Sequence, residues 1–206
     1  MAKDSKNKIL KVAIKEFANK GYNSASTRDI CANAGVNISS IAYYFKSKRG
    51  LYEEVLKIVV EKLNAYLGDI VSEFAVLKQK FPAPKESYEM LKRIFHKFIE
   101  GICFPELPYD ITTIYLLDYV RPSDSFHIFE DGLNKVYMPI VRELLVDANE
   151  GRVAEVEANL YAFILFSQIF NLAVRKDGIL KIMNWKNYSK GEIETLCKVV
   201  DNGLII

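Results

Sequence analysis

An all-α fold is predicted by three features of this sequence. Apolar residues recur at i, i+3/i+4 and i+7 almost from end to end, the breaks between these runs carry Gly, Pro and capping residues, and no stretch alternates apolar with polar residues as a half-buried strand would. Half of the 206 residues are apolar and 12% are aromatic. A chain of this length and composition is not disordered, and it buries enough surface to fold without a disulfide or metal staple. Cys31, Cys103 and Cys197 are odd in number and far apart, which argues against a disulfide or zinc framework.

The first predicted helix carries Ile9, Leu10, Ala13, Ile14, Phe17 and Ala18 on one face and ends after Lys20, with Gly21 at the C′ position. Ser26-Thr27-Arg28-Asp29 has the form of a capping box: Ser26 can accept from the first-turn donors, and Asp29 places negative charge at the positive helix end. The helix it opens contains Ile30, Cys31 and Ala34 and closes at Gly35. Asn37 caps a third helix over 38–45. Ser47 caps a fourth, long one, whose stripe of Leu51, Val55, Ile58, Val59, Leu63, Tyr66, Leu67, Ile70, Val71 and Phe74 persists until Phe81-Pro82-Ala83-Pro84 stops it. Further helices are predicted at about 85–101, 109–121 and 124–149, separated by Pro105, Pro108 and Pro122, with a kink at Pro139. A very apolar helix over 153–176 ends in Asp177-Gly178, and a last one opens at Ser189-Lys190-Gly191-Glu192 and runs to about Leu204. The count is about nine helices.

The formal charge of +2 conceals an asymmetry. Residues 1–50 hold ten basic residues (Lys3, Lys6, Lys8, Lys11, Lys15, Lys20, Arg28, Lys46, Lys48 and Arg49) against Asp4, Glu16 and Asp29, a net +7. The other 156 residues hold 18 basic against 23 acidic groups, a net −5. A polyanion met by one end of the molecule fits this split. The longest unbroken apolar run, residues 160–166, is far shorter than the roughly 20 residues that span a bilayer. The N-terminal residues have no apolar core behind their charges, so no signal peptide is read there. A cytoplasmic protein with no membrane partner is expected.

Two short helices joined by Ala34-Gly35-Val36-Asn37 match a helix-turn-helix over about 26–45. Ile30, Ala34, Val36, Ile41 and Phe45 can brace the pair, so that the second helix is held rigidly enough to enter a major groove about 12 Å wide. Beyond that motif, residues 9–52 resemble the DNA-binding domain of TetR-family transcriptional regulators, through Ile9-Leu10, Ala13, Phe17, Gly21-Tyr22, Ser26-Thr27-Arg28-Asp29-Ile30, Ala34-Gly35-Val36, Tyr43-Tyr44-Phe45, Ser47-Lys48 and Leu51. Val36-Asn37-Ile38 with Ile41-Ala42-Tyr43-Tyr44-Phe45, Pro122-Ser123-Asp124-Ser125-Phe126, Met138-Pro139-Ile140 and Trp185-Lys186-Asn187-Tyr188-Ser189 are similar to a CecR-type subgroup of that family.

The resemblance implies a DNA-binding domain over 1–50 and a helical ligand-binding and dimerisation domain over 51–206. By motif position it implies DNA contacts from Thr27, Arg28, Ile38, Ser39, Ser40, Tyr43, Tyr44, Lys46 and Lys48. Phe45 reads better as a packing residue. The recognition helix departs from many of its relatives in opening with Ile38, Ser39 and Ser40 and continuing with Ala42. Without Asn, Gln or Arg there, bidentate base readout is unavailable, and thymine-methyl contact, single serine hydrogen bonds and DNA shape carry more of the specificity.

Aromatic residues are dense from 88 to 138: Tyr88, Phe95, Phe98, Phe104, Tyr109, Tyr115, Tyr119, Phe126, Phe129 and Tyr137. Most are core; Phe98, Ile102, Tyr115 and Tyr119 are the candidates for lining an apolar pocket. His96 and His127 have no second ligand at a convincing spacing, so no metal or other cofactor is expected. Leu160, Phe163, Ile164, Ser167, Phe170, Asn171 and Val174 on one helix, with Ile193, Leu196, Val200 and Leu204 on another, form an apolar excess suited to a two-fold dimer interface. The predicted function is a dimeric repressor that reads a palindromic operator in double-stranded DNA and is released by a small apolar or aromatic ligand. An activator of the same fold is the alternative. An all-α enzyme or carrier is a weaker one, because no nucleophile–base pair or phosphate loop is present and Asp110, Asp118 and His127 make a site only if a fold is assumed.

Overall fold

The computed structural model describes residues 2–103 and 108–204, so that Phe104, Pro105 and, for its side chain, Lys3 lie outside the described residues. Helices occupy Ala2–Ser24 (α1, interrupted at the expected Gly21, φ 71°, ψ 170°), Thr27–Ala34 (α2), Ser39–Phe45 (α3), Lys48–Leu67 (α4), Asp69–Gln79 (α5), Pro84–Cys103 (α6) and Tyr109–Val120 (α7). A short α8 (His127–Phe129) leads through a π turn (Glu130–Asn134) into α9 (Lys135–Ala148), followed by α10 (Glu155–Val174), α11 (Lys176–Ile182) and α12 (Lys190–Asp201). No strand is present among the described residues, and the all-α class stands.

The helices are more numerous than about nine because two long predicted runs are subdivided and one is extended. The stripe from Leu51 to Phe74 is broken at Gly68, which separates α4 from α5. The run over 124–149 is divided by the π turn. Pro139 cannot donate to the carbonyl four residues back and crowds that turn. The widened π turn immediately precedes this stretch, so the distortion expected at Pro139 is seen one turn earlier. Asp177-Gly178 does not end the helical run: the break falls at Arg175, and both residues lie inside α11.

The chain divides into two compact units. The first comprises the chain up to Ala65 together with Pro108–Leu133. Here α1 packs against α2 and α7. Its core is the inner stripe of α1 (Ile9, Ala13, Phe17), Ile30 of α2, Leu51, Val55, Leu56 and Val59 of α4, Ile111 and Ile114 of α7, and Phe129, all essentially inaccessible to water. Burial of this many branched and aromatic side chains is the main force holding the short helices in place, since α2 and α3 are too short to persist alone. The second unit comprises the chain from Tyr66 to Cys103 and from Asn134 onward. Within it α6 packs against α9, α10 and α12 around Leu91, Ile94, Phe95, Ile99, Val141, Leu144, Ala158, Ala162 and Ile169.

Candidate nucleic-acid interface

The helix-turn-helix is set by local chemistry that the sequence announces. Ser26 Oγ accepts from the backbone N–H of Asp29 at 3.4 Å and caps α2. Gly35 closes that helix at φ 66°, ψ 37°, a left-handed conformation in which a Cβ is strained. Its N–H reaches the Ala32 carbonyl at 3.1 Å while Val36 N–H reaches the Cys31 carbonyl at 3.0 Å, so two of the free carbonyls at the helix end are satisfied. Asn37 Oδ1 then accepts from both the backbone N–H and the hydroxyl of Ser39 at 2.9 Å each, opening α3. Ser47 Oγ accepts from Gly50 N–H at 3.1 Å and opens α4. Ile30, Cys31, Ile41 and Phe45 are buried beneath the two helices and fix their angle.

This arrangement leaves one face of α2 and α3 open. None of the nine residues assigned to DNA contact is buried: Arg28, Ile38, Ser39, Tyr43 and Lys46 are exposed, and Thr27, Ser40, Tyr44 and Lys48 are half-buried. Tyr43, 72% exposed, stands edge-on to the ring of Tyr44 at 4.8 Å, so the pair is held in shape without being covered. Ile38 is 49% exposed at the start of the recognition helix, an apolar group with no partner in its own unit to hide it. The Ser39 hydroxyl donates to Asn37, which leaves its oxygen lone pairs for an outside donor. Phe45 belongs to the core.

The electrostatics single out a subset of the cations. Lys6 pairs with Glu54 at 3.3 Å, Lys8 with Asp4 at 2.8 Å, Lys20 with Glu16 at 2.8 Å and Asp29 at 3.5 Å, and Arg49 with Glu53 at 2.8 Å. Among the described residues, Lys11, Lys15, Arg28, Lys46 and Lys48 have no acidic oxygen within ion-pair distance. Three of these five stand on or beside the helix-turn-helix.

Lys48 is the one of the three that is held. Its Nζ donates to the Asn23 carbonyl at 3.1 Å and lies 4.9 Å from the centre of the Tyr22 ring, and partial burial lowers its pKa. Tyr22 in turn stacks on Tyr52 at 4.7 Å, and the Tyr52 hydroxyl donates to Asp118 Oδ1 of α7 at 3.1 Å. Asp118 also accepts from the N–H of Ser123 at 3.2 Å and from its hydroxyl at 3.3 Å. Burial pushes both pKa values up, that of Tyr52 reinforced by the neighbouring carboxylate. This chain of contacts escapes sequence reading because Tyr52 and Asp118 are 66 positions apart; the only local signal was the aromatic Tyr22 beside the end of the first helix.

The remaining candidates fall as follows. Tyr115 and Tyr119 lie in the first unit, Tyr115 buried edge-on to Phe129 at 5.0 Å and 6.3 Å from the Tyr119 ring. Phe98 and Ile102 lie in the second unit, half-buried, with Phe98 edge-on to Phe166 at 4.9 Å. A groove of about 550 Å³ between α6 and α12 is lined by other residues, among them His96, Glu100, Glu194, Cys197, Lys198 and Asp201, and His96 Nε2 meets Asp201 Oδ1 at 2.7 Å across it. On α10, Leu160, Phe163, Ile164, Asn171 and Val174 are exposed, Ser167 is half-buried and Phe170 is buried against the protomer's own core. On the last helix Ile193 is buried and Leu196 and Val200 are half-buried, while Leu204 is buried beyond its end. Among the described residues no three His, Cys, Asp or Glu side chains gather as metal ligands do.

Residues 9–55 match the family described as bacterial regulatory proteins, tetR family. Along nearly the whole chain, 205 residues are 23% identical to the HTH-type transcriptional dual regulator CecR of Shigella flexneri, covering 95% of this chain and 87% of that one. Among solved structures, the transcriptional regulator FadR from Bacillus subtilis in complex with stearoyl-CoA is similar with a TM-score of 0.62 at 16% identity, over 97% of both chains. AibR in complex with isovaleryl coenzyme A and operator DNA is similar with a TM-score of 0.64 at 14% identity, over 98% of this chain and 97% of that one. At these identities the two structures speak to the fold.

Proposed function

Residues 9–55 make this chain a TetR-family regulator, and we propose that it acts as a dimeric repressor, leaving a palindromic operator when its body binds a small apolar ligand. DNA reading is assigned to 1–50, and ligand sensing and pairing to 51–206. The observation that carries the proposal is the open face of α2 and α3. Arg28 and Lys46 stand exposed there without acidic partners among the described residues, beside Ile38, Ser39 and Tyr43 and above a brace in which Ile30, Ile41 and Phe45 are buried and Ala34 and Val36 half-buried. Phosphates supply the missing anions, and base edges meet Ile38 and the serines.

Two features support the rest of the reading. The exposed apolar positions of α10 recur along one helical face, as a surface used twice across a two-fold axis requires. Two proteins of the same fold hold acyl-CoA thioesters, which supports an effector with an apolar chain. Such a ligand acts only to the extent that it binds one conformation of the dimer more tightly than the other. The site of action is the cytoplasm, where the DNA is.

The test is selection of bound fragments from genomic DNA. Two inverted half-sites about 34–36 Å apart, or a multiple of that spacing, are expected, with affinity falling steeply as salt rises. Weak, salt-insensitive binding to every fragment overturns the reading. Stearoyl-CoA and isovaleryl-CoA are the first effector probes, expected to raise the protein concentration needed for half-binding. The relative aligned along the whole chain is named a dual regulator, which favours activation as the second reading. A bound site upstream of a promoter whose output rises with the protein selects it over repression.

A further inference from the structure

The cations of the first 50 residues divide into those neutralised inside the protein and those left over, and the left-over set is larger than the helix-turn-helix uses. Lys11 and Lys15 are both exposed, four residues apart on α1, with no acidic partner among the described residues. Lys8, paired with Asp4, continues the same row one turn earlier. The row lies opposite the buried stripe of Ile9, Ala13 and Phe17, so it points directly away from the core. Like charges at i, i+4 weaken a helix, and a well-capped helix elsewhere in this chain places acidic residues to avoid it, as Arg49 with Glu53 does. On α1 the nearest acid in sequence, Glu16, is taken by Lys20.

We propose that the outward face of α1 is a second phosphate-binding strip, in which Lys11 and Lys15, with Lys8 beside them, contact the backbone of duplex DNA flanking the segment under the recognition helix. The inference rests on the DNA-binding reading and extends it. From Lys8 to Lys15 the strip is about 10 Å long, which matches about three successive phosphates of one strand at about 3.4 Å of helix axis each. The strip has no aromatic, amide or guanidinium group to read a base edge, so it contributes affinity and salt dependence without sequence preference. The partner is DNA because the same compact unit also carries Arg28 and Lys46, exposed and without acidic partners among the described residues.

The experiment compares the full-length wild type with the Lys11→Ala/Lys15→Ala double variant on random-sequence duplexes of about 12 and about 50 base pairs, the shorter little more than one helical turn. Binding is titrated between about 50 and 200 mM salt. On the long duplex the slope of log K against log salt is expected to fall by about 1–2 in the double variant, since each phosphate neutralised contributes about 0.9. On the short duplex the two proteins should agree. The charge-keeping Lys11→Arg/Lys15→Arg variant should keep the wild-type slope, and circular dichroism should be the same for all three. Equal slopes for wild type and the alanine variant on the long duplex overturn the proposal while leaving the DNA-binding reading intact. Failure of the wild type on both duplexes overturns that reading and the strip with it. Lysine-dependent binding to phosphatidylserine vesicles with unchanged DNA slopes also overturns the proposal, in favour of a membrane surface.

Discussion

The outer face of α3 and the outer face of α10 are both left open by the fold, yet they are built from opposite materials. On α3 the exposed positions are Ser39, Ala42 and Tyr43, flanked by Arg28, Ile38 and Lys46, over the buried Ile30, Ile41 and Phe45. On α10 they include Val156, Leu160, Phe163, Ile164 and Val174, with Leu160 and Phe163 each 58% exposed, beside the polar Glu155, Glu157, Asn159, Gln168 and Asn171. The inner face of α10, with Ala158, Ala162, Leu165 and Ile169, is packed against α6 and α9. A helix that is apolar on two faces either lies in a core or has a second apolar surface to meet. By length and composition α10 would also pass for a membrane-crossing helix, with 33% of that stretch buried in the protein interior. The two open faces therefore offer different chemistry: cations and hydroxyls on one, apolar side chains on the other.

The largest effect is expected from a charge placed on the apolar face of α10. Ile164→Glu is expected to leave each protomer folded, since the side chain is exposed, and to weaken self-association by about 3–4 kcal/mol through burial of an unpaired carboxylate. Sedimentation velocity and DNA binding measured together check it. A variant that still pairs at wild-type concentrations removes α10 as the pairing face.

A smaller effect is expected from Gly132→Ala, because a Cβ there would lie 2.5 Å from Val60 Cγ1 within the first unit. Overpacking of this kind costs about 1–3 kcal/mol. The close approach also serves a hydrogen bond of 3.2 Å from Asn64 Nδ2 to the Gly132 carbonyl in the π turn. Thermal melting should show the loss, and adding Val60→Ala should recover part of it. This separates the first unit, which contains Gly132, from the exposed face of α10, which does not.

Arg28→Ala and Lys46→Ala sharpen the polar half of the comparison. Each is expected to lower DNA affinity roughly uniformly across sequences and to reduce the salt slope by about 1, with self-association unchanged. Fluorescence anisotropy at several salt concentrations measures it.

The smallest effect concerns Asp118. Burial raises its pKa in the folded state, so the folded protein holds that proton more tightly than the unfolded chain does. The stability tied to the protonated form is complete below the unfolded value of about 3.9 and is lost as pH rises through the raised folded value. Asp118→Asn keeps an acceptor for Tyr52 and removes the titration. Its stability relative to wild type should therefore climb over that pH window and then level off, in paired denaturant titrations. A difference that stays flat with pH would show that Asp118 titrates alike in both states.

Much of the first unit was legible because its instructions are local. Ser26, Gly35, Asn37 and Ser47 act on backbone within a few residues of themselves, and each caps or closes the helix expected of it, as the pair Ser189–Glu192 does in the second unit. What escaped was non-local. The break at Gly68 is not legible because the apolar stripe continues through it; α11 is not legible because Gly178 reads as a terminator, although the chain turns at Arg175. The anchoring of Lys48 through Tyr22, Tyr52 and Asp118 joins residues that only folding brings together.

By itself the sequence determined the all-α class, the caps, the helix-turn-helix and the cationic surplus of its first 50 residues, because helix periodicity, capping and net charge are properties of neighbouring positions. The tertiary structure decided which of those cations remain unpaired, which side of α10 stays uncovered, and that residues 108–133 complete the compact unit that presents the recognition helix. Those outcomes depend on the burial of side chains far apart in the chain, and burial is settled only when the helices pack.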